Sequence, residues 1–131
     1  MSGGSIKGLG ASPGAASGVL MLRTEDALDA AARGQKVVLL RAEMGAEDVP
    51  AIKVSAGVVC TRGGLTGDAA IIARTLGKPC VVGFPHFVVD YSARSVRVPL
   101  PGGDAEHTLL QGDPVSIDGA KGLFAFGETA D

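Results

Sequence analysis

Short apolar runs alternate with helix-like segments between positions 19 and 84 of the chain. The runs that predict buried strands are VLMLR at 19–23, KVVLLR at 36–41, GVVCTR at 57–62 and PCVVGF at 79–84. The segments between them that predict helices are 25–33, 46–55 and 67–76. Because strands and helices alternate along the chain, we expect a sheet that is at least partly parallel.

Residues at the ends of the predicted helices support these boundaries. Thr24 and Thr66 each stand where a side chain that caps a helix start is expected, and Gly34 follows the first helix as a stop signal. Pro50 is compatible with the second helix because it lies in or near the first turn, where no backbone N–H is needed. The sequence therefore predicts three short helices.

The pattern changes after Gly83. The runs SVRVPL at 95–100, DPVSID at 113–118 and GLFAFG at 122–127 are short and are separated by turn signals such as Gly112-Asp113. This spacing predicts an antiparallel C-terminal β-hairpin region. The connection between the two parts is too short for a linker, so we expect one α/β domain spanning residues 1–131.

Composition and charge narrow the class of function. The chain has 131 residues, of which 46% are hydrophobic, and a formal net charge of −2. That charge leaves no basic stripe for nucleic acid, and no apolar run reaches the roughly 18–20 residues of a membrane span. The first residues show no secretory signal pattern. We therefore expect a cytoplasmic protein whose partner is a small molecule or another protein, with no nucleic acid and no membrane.

The cysteines and histidines do not predict a metal site. Cys60 and Cys80 are isolated in apolar runs and lack the close spacing of zinc ligands, which favours buried reduced thiols. His86 follows the PCVVGF strand and His107 is predicted in a polar turn, so both are interpreted as ordinary surface or loop residues. Nucleotide-binding glycine loops with their required spacing are also missing from the sequence. We expect no metal and no cofactor.

The strongest candidate for a functional site follows the strand at 57–62. Arg62, Gly63 and Gly64 form a glycine-rich turn, Thr66 is the predicted cap, and Asp68 lies in the first turn of the helix at 67–76. Exposed backbone N–H groups and a helix N-terminus attract anions, and an arginine can bind phosphate through two hydrogen bonds. By itself, however, a Gly-Gly turn before a helix is more typical of a plain strand-to-helix connection.

The longer string RGGLTGDAAIIARTLGKPCVVG at 62–83 is far more specific. It resembles the phosphohistidine signature of the phosphoenolpyruvate-utilising enzymes, and the segments ASPGA at 11–15, VVLLRAEMGAED at 37–48 and QGDPVSIDGAKG at 111–122 resemble other parts of the same domain. The resemblance covers about residues 8–127 and is greatest to the central swivelling domain of pyruvate phosphate dikinases.

This resemblance implies a compact β/β/α swivelling domain with a mixed sheet. In the full enzymes of the family, such a domain carries a phosphoryl group on its histidine between an ATP-grasp domain and a phosphoenolpyruvate-binding barrel. By the same resemblance, Arg62, Gly63, Gly64 and Thr66 surround the phosphate. Asp68 stands where the family has its phosphoryl-accepting histidine.

Three functional interpretations remain open at Asp68. In the one we favour, the domain no longer transfers phosphate, because a carboxylate reaches less far than an imidazole and its charge occupies the anion site; the domain then binds or regulates an ATP-grasp or phosphoenolpyruvate-binding partner. Alternatively, Asp68 forms an aspartyl phosphate and the domain works in trans with separate kinase and phosphoenolpyruvate subunits. The third interpretation is a fragment or variant of a full dikinase.

Overall fold

The computed structural model describes residues 4–100 and 105–126 and has a mixed α/β architecture in which strands predominate. The strands are β1 (Gly4–Lys7), β2 (Leu9–Ser12), β3 (Ala15–Met21), β4 (Val37–Arg41), β5 (Gly57–Cys60), β6 (Cys80–Val82), β7 (Val88–Asp90), β8 (Ser95–Pro99), β9 (Glu106–Leu110), β10 (Pro114–Asp118) and β11 (Leu123–Phe126). The helices are α1 (Thr24–Ala32), α2 (Val49–Val54) and α3 (Asp68–Leu76), and a 3₁₀ turn at Ala46–Asp48 leads into α2.

A mixed eight-stranded sheet forms the centre of the structure, in the order β1-β11-β10-β3-β4-β5-β6-β2. Its four middle strands, β3 to β6, are parallel, as the alternation of strands and helices predicts. The pairs on both sides of them are antiparallel, and so are β7, β8 and β9 in a separate three-stranded sheet. The predicted fold class is therefore confirmed, with the C-terminal strands divided between two sheets.

Each face of the large sheet is covered by a different layer. On one face, Val37, Leu39 and Val58 pack against the buried alanines of the three helices. On the other face, Val38 and Leu40 pack against the three-stranded sheet and the aromatic rings of β11. Because side chains alternate along a strand, β4 must be apolar at every position to be buried by both layers. All four residues from Val37 to Leu40 are fully buried.

The large sheet curls until its two ends approach each other. Its first and last strands in spatial order, β1 and β2, are separated in the chain by Gly8 alone. The Gly8 N–H donates to the Gly122 carbonyl at 2.7 Å, and the Gly119 N–H donates to the Gly14 carbonyl at 2.7 Å. The turn between β10 and β11 is thereby held against the N-terminal segment.

Both predicted threonine caps are wrong by one residue. The capping residue of α1 is Arg23, and that of α3 is Gly67; neither makes a side-chain capping hydrogen bond. Contacts outside the helices explain the shifts. The Gln111 side chain binds the N–H groups that precede α1, and the Gly67 N–H closes a turn with the Gly64 carbonyl at 3.1 Å.

Two further expectations differ from the structure. The segment 46–55 consists of the 3₁₀ turn followed by α2, with Pro50 tolerated at the start of α2 as predicted. His107 does not lie in a polar turn: it belongs to β9 and stacks on Phe126 with 4.9 Å between the ring centres. Its strand is apolar at few positions, so the sequence pattern does not reveal it. His86 lies in an exposed turn, as expected.

No helix in the described part of the chain is long and apolar enough to cross a membrane.

Candidate functional site

A cavity of about 250 Å³ lies at the carboxyl ends of β4 and β5, beside the start of α3. The carboxyl edge of parallel strands is where α/β proteins commonly bind ligands, because loops from neighbouring strands meet there. The residues that line the cavity are Glu43, Met44, Cys60, Arg62, Gly63, Gly64, Gly67, Asp68, Ala69 and Val82.

Glycine is required at one position of the turn that forms the cavity wall. Gly63 has φ +95°, a conformation that residues with a Cβ rarely adopt. Gly64 has no such φ, and a Cβ there would meet nothing within 4 Å. After the turn closes between Gly64 and Gly67, the Ile71 N–H donates to the Gly67 carbonyl at 3.1 Å and α3 begins. The chain therefore reverses sharply and directs the start of α3 at the cavity.

Asp68 is the first residue of α3 and is exposed. This confirms the position predicted from the sequence, at the start of a helix and accessible to solvent. A carboxylate at a helix N-terminus interacts favourably with the helix dipole, by about 0.3–1 kcal/mol at an exposed site. This interaction with the helix dipole requires no phosphoryl group.

Arg62 is paired with the carboxylate of Glu43, which was not among the predicted site residues. Its Nη1 atom lies 3.2 Å from Oε2 of Glu43, and the two side chains are 71% and 73% exposed. An ion pair this exposed contributes little to stability, so Arg62 is easily released to another partner. A usable signal was present in the sequence, because Glu43 follows β4 just as Arg62 follows β5, and parallel neighbours end at the same edge.

The structure brings together four of the five residues predicted for the site. Arg62, Gly63, Gly64 and Asp68 all line the cavity. Thr66 is exposed in the turn and is not among the lining residues. With Glu43, the charged groups of the lining are two carboxylates and one guanidinium, so the cavity is less attractive to an anion than the glycine-rich turn alone suggests.

Cys60 is among the residues that line the cavity, but its side chain is buried. Its thiol donates to the Arg62 carbonyl at 3.0 Å. Burial raises the pKa of Cys60 to about 11. Cys80 is buried under the same helix layer, and burial raises its pKa to about 12. Both residues are free cysteines, as the sequence predicts.

We expect both thiols to be unreactive in the folded protein. Thiolate is the reactive form, and raising the pKa of Cys60 from 9.0 to about 11 lowers its thiolate fraction about 100-fold at pH 8, before burial is considered. Reaction with a disulfide reagent should therefore be at least about 100-fold slower in buffer than in denaturant. Single Cys60→Ser and Cys80→Ser variants show which of the two thiols reacts with the reagent. A thiol that reacts natively as fast as free cysteine would contradict the burial.

Within the part of the chain that the structure describes, no group of three or more metal-binding side chains comes together.

Comparison with known proteins gives a consistent set of similarities. Residues 34–122 match the model of a family described as PEP-utilising enzyme, mobile domain. The chain is 39% identical over 121 residues to the pyruvate, phosphate dikinase of Rhizobium meliloti (strain 1021), covering 92% of this chain and 13% of that protein. It is 41% identical over 123 residues to the Entamoeba histolytica dikinase, covering 94% and 13%. The Clostridium symbiosum dikinase is 35% identical over 120 residues, with 92% and 13% covered. The chain thus spans about 13% of the length of these relatives.

Proposed function

Since this chain belongs to the mobile-domain family of the phosphoenolpyruvate-utilising enzymes, we propose that it is a carrier-derived domain that binds a partner protein without transferring a phosphoryl group. The chain forms one domain and works in the cytoplasm. Its partner is an ATP-grasp or phosphoenolpyruvate-binding protein of the kind that the family resemblance implies.

One observation carries this proposal: Asp68 presents a carboxylate in the cavity where the family resemblance places the phosphoryl acceptor. A phosphoryl group brings about −1.5 to −2 charges at neutral pH. Added here, it would face both Asp68 and Glu43, with Arg62 as the only cation among the lining residues. A carboxylate is also shorter than an imidazole, and misplacement of a reacting atom by about 1 Å can reduce transfer about 100-fold.

The surroundings of Asp68 suit binding to another protein. Leu65 lies three residues before Asp68 and is 44% exposed, and Ile71 lies three residues after it and is 51% exposed. Contiguous apolar patches rimmed by polar groups mark interaction surfaces, and Leu65 and Ile71 are, along the chain, the exposed large apolar residues nearest to Asp68 in the described ranges. A partner cleft that is cationic at its centre and apolar at its rim would complement this surface. A cleft that normally receives a phosphoryl group is cationic at its centre.

A second candidate function is an aspartyl-phosphate carrier that works in trans. The observation in its favour is the exposure of Asp68, because an accessible carboxylate can be phosphorylated by a positioned donor. The chain spans 13% of the length of the Rhizobium meliloti dikinase, as a fragment of such an enzyme would.

The wild-type chain is expected to stay unlabelled when it is incubated with ATP and the ATP-grasp part of a related dikinase. Intact-mass measurement before and after incubation detects any phosphoryl adduct, and an Asp68→His variant is the matched positive control. An adduct on the wild-type chain that hydroxylamine removes would identify an acyl phosphate and would overturn the proposal in favour of the second candidate.

Docking is measured in the same mixture by calorimetry. We expect the wild-type chain to bind the partner, and an Asp68→Lys variant to bind at least about tenfold more weakly because its charge is reversed. Equal binding of the two proteins would contradict docking through this surface.

A further inference from the structure

We infer that Arg74 is the positioning residue of the candidate site, and that it fixes the glycine-rich turn by binding the carbonyls of Leu65 and Ala11 at once. The hydrogen bonds of Arg74 are independent of the proposed function. Only the expected effect of Arg74 on the chemistry at position 68 rests on it. Arg74 lies near the end of α3, outside the cavity lining.

The first carbonyl is made available by an irregularity in β2. This strand lies at the end of the sheet order and pairs with β6, and its register shifts between Gly10 and Ser12. Ala11 therefore has no partner residue across the ladder, although it is only 6% exposed. The Arg74 Nε atom donates to the Ala11 carbonyl at 2.7 Å. A bulge of this kind redirects a backbone group, and a buried carbonyl needs a donor.

The second carbonyl belongs to the turn that forms the cavity wall. The turn closes through the Gly67 N–H and the Gly64 carbonyl, which leaves the Leu65 carbonyl outside that closing hydrogen bond. The Arg74 Nη2 atom donates to the Leu65 carbonyl at 2.5 Å. One guanidinium therefore joins the turn, α3 and β2. Only arginine presents donors in a rigid fork that can bind two carbonyls in this way.

The two hydrogen bonds of Arg74 determine how firmly the turn is held, because the turn makes few other contacts. Gly63 and Gly64 have no atoms near enough to contact an added Cβ, and Leu65 and Thr66 are exposed. Segments with few buried contacts open locally at low free energy, and a single pair of hydrogen bonds then sets how often they open. Arg74 itself is exposed, so its loss should loosen the turn without unfolding the core.

Amide hydrogen exchange on the full chain tests the inference. In Arg74→Gln, the Gly67 amide, which donates to the Gly64 carbonyl, should exchange at least about tenfold faster while the amides of β4 are unchanged. In Arg74→Lys, which can bind one carbonyl at a time, exchange should be intermediate. Arg33→Gln is the matched control, because Arg33 is another exposed arginine at a helix end and pairs only with Asp29 among the described residues. That variant should exchange as the wild type does.

Two results would overturn the inference. One is unchanged exchange of the Gly67 amide in Arg74→Gln. The other is an equal rise throughout the chain, which would show a general loss of stability. If Arg74→Gln does not fold, the exchange rates of Arg74→Lys show whether the effect is confined to the turn, absent, or spread through the chain.

A second readout separates this inference from the proposed function. In a chain that also carries Asp68→His, Arg74→Gln should lower the initial rate of phosphoryl labelling at least about tenfold, and Arg74→Lys should restore part of it. An unchanged rate would contradict a positioning role at the site. An adduct on the wild-type chain would overturn the proposed function, whereas the exchange rates decide independently of any labelling whether Arg74 holds the turn.

Discussion

Replacing Asp68 with histidine is expected to produce a chain that accepts one phosphoryl group when ATP and the ATP-grasp part of a related dikinase are supplied. The expected change is from no adduct in the wild type to an adduct on a large share of the variant. No other substitution should have so large an effect on activity, because Arg62, Gly63 and Gly64 line the cavity beside this position.

The physical reason is that imidazole restores both reach and nucleophilicity at the start of α3. Position 68 is exposed and is the first helical residue, so a longer side chain extends into solvent without a clash. The substitution also removes one of the two carboxylates among the cavity-lining residues and leaves Arg62 beside the incoming phosphoryl group. A nearby cation stabilises the charge that develops during transfer.

The chemistry of the adduct checks the assignment. Phosphohistidine is labile in acid and stable in base, whereas an acyl phosphate is removed by hydroxylamine. Peptide mapping should place the phosphoryl group at position 68, and an Asp68→Asn variant, which has no such nucleophile, should remain unlabelled. Labelling at His86 or His107 would contradict the prediction.

Gly119→Ala is expected to lower the free energy of unfolding by about 3 kcal/mol or more. A Cβ on Gly119 would lie 1.8 Å from the Ser12 carbonyl oxygen, which is backbone and cannot rotate away. Relief of this contact would require the turn between β10 and β11 to move away from β2. That movement would weaken the bond from the Gly119 N–H to the Gly14 carbonyl and open the curled sheet.

Urea denaturation followed by circular dichroism measures this change. Gly64→Ala is the matched control, since a Cβ there meets nothing within 4 Å and its φ is not positive. Its free energy of unfolding should change by less than about 0.5 kcal/mol. A Gly119→Ala protein within about 1 kcal/mol of the wild type would show that the turn and β2 are not packed as described.

Local patterns in the sequence were sufficient for much of the fold. The fully apolar run at 37–40 predicted a strand covered on both faces, and Pro50 was correctly placed at a helix start. The position of Asp68 at the start of α3 was also predicted, because the strand, the glycine-rich turn and the helix follow one another directly in the chain. These features depend on the conformational preferences of residues that are neighbours in the chain, so they can be read without knowledge of long-range contacts.

Features that depend on distant parts of the chain were not predictable from these local patterns, and for Glu43 the indication was only that it follows β4 as Arg62 follows β5. The carboxylate of Glu43 meets Arg62 across 19 positions, and Arg74 binds a carbonyl 63 positions away. The true helix caps follow from contacts with Gln111 and from the closing of the turn at Gly67.

The amino-acid sequence by itself thus determined the alternation of strands and helices between positions 19 and 84 and the position of Asp68 at the start of α3. Only the tertiary structure decided which charges share the cavity with Asp68 and which side chain holds its turn. The physical reason is that strand and helix patterns are periodic and local, whereas an ion pair or a carbonyl contact depends on register, bulges and curvature of the whole sheet.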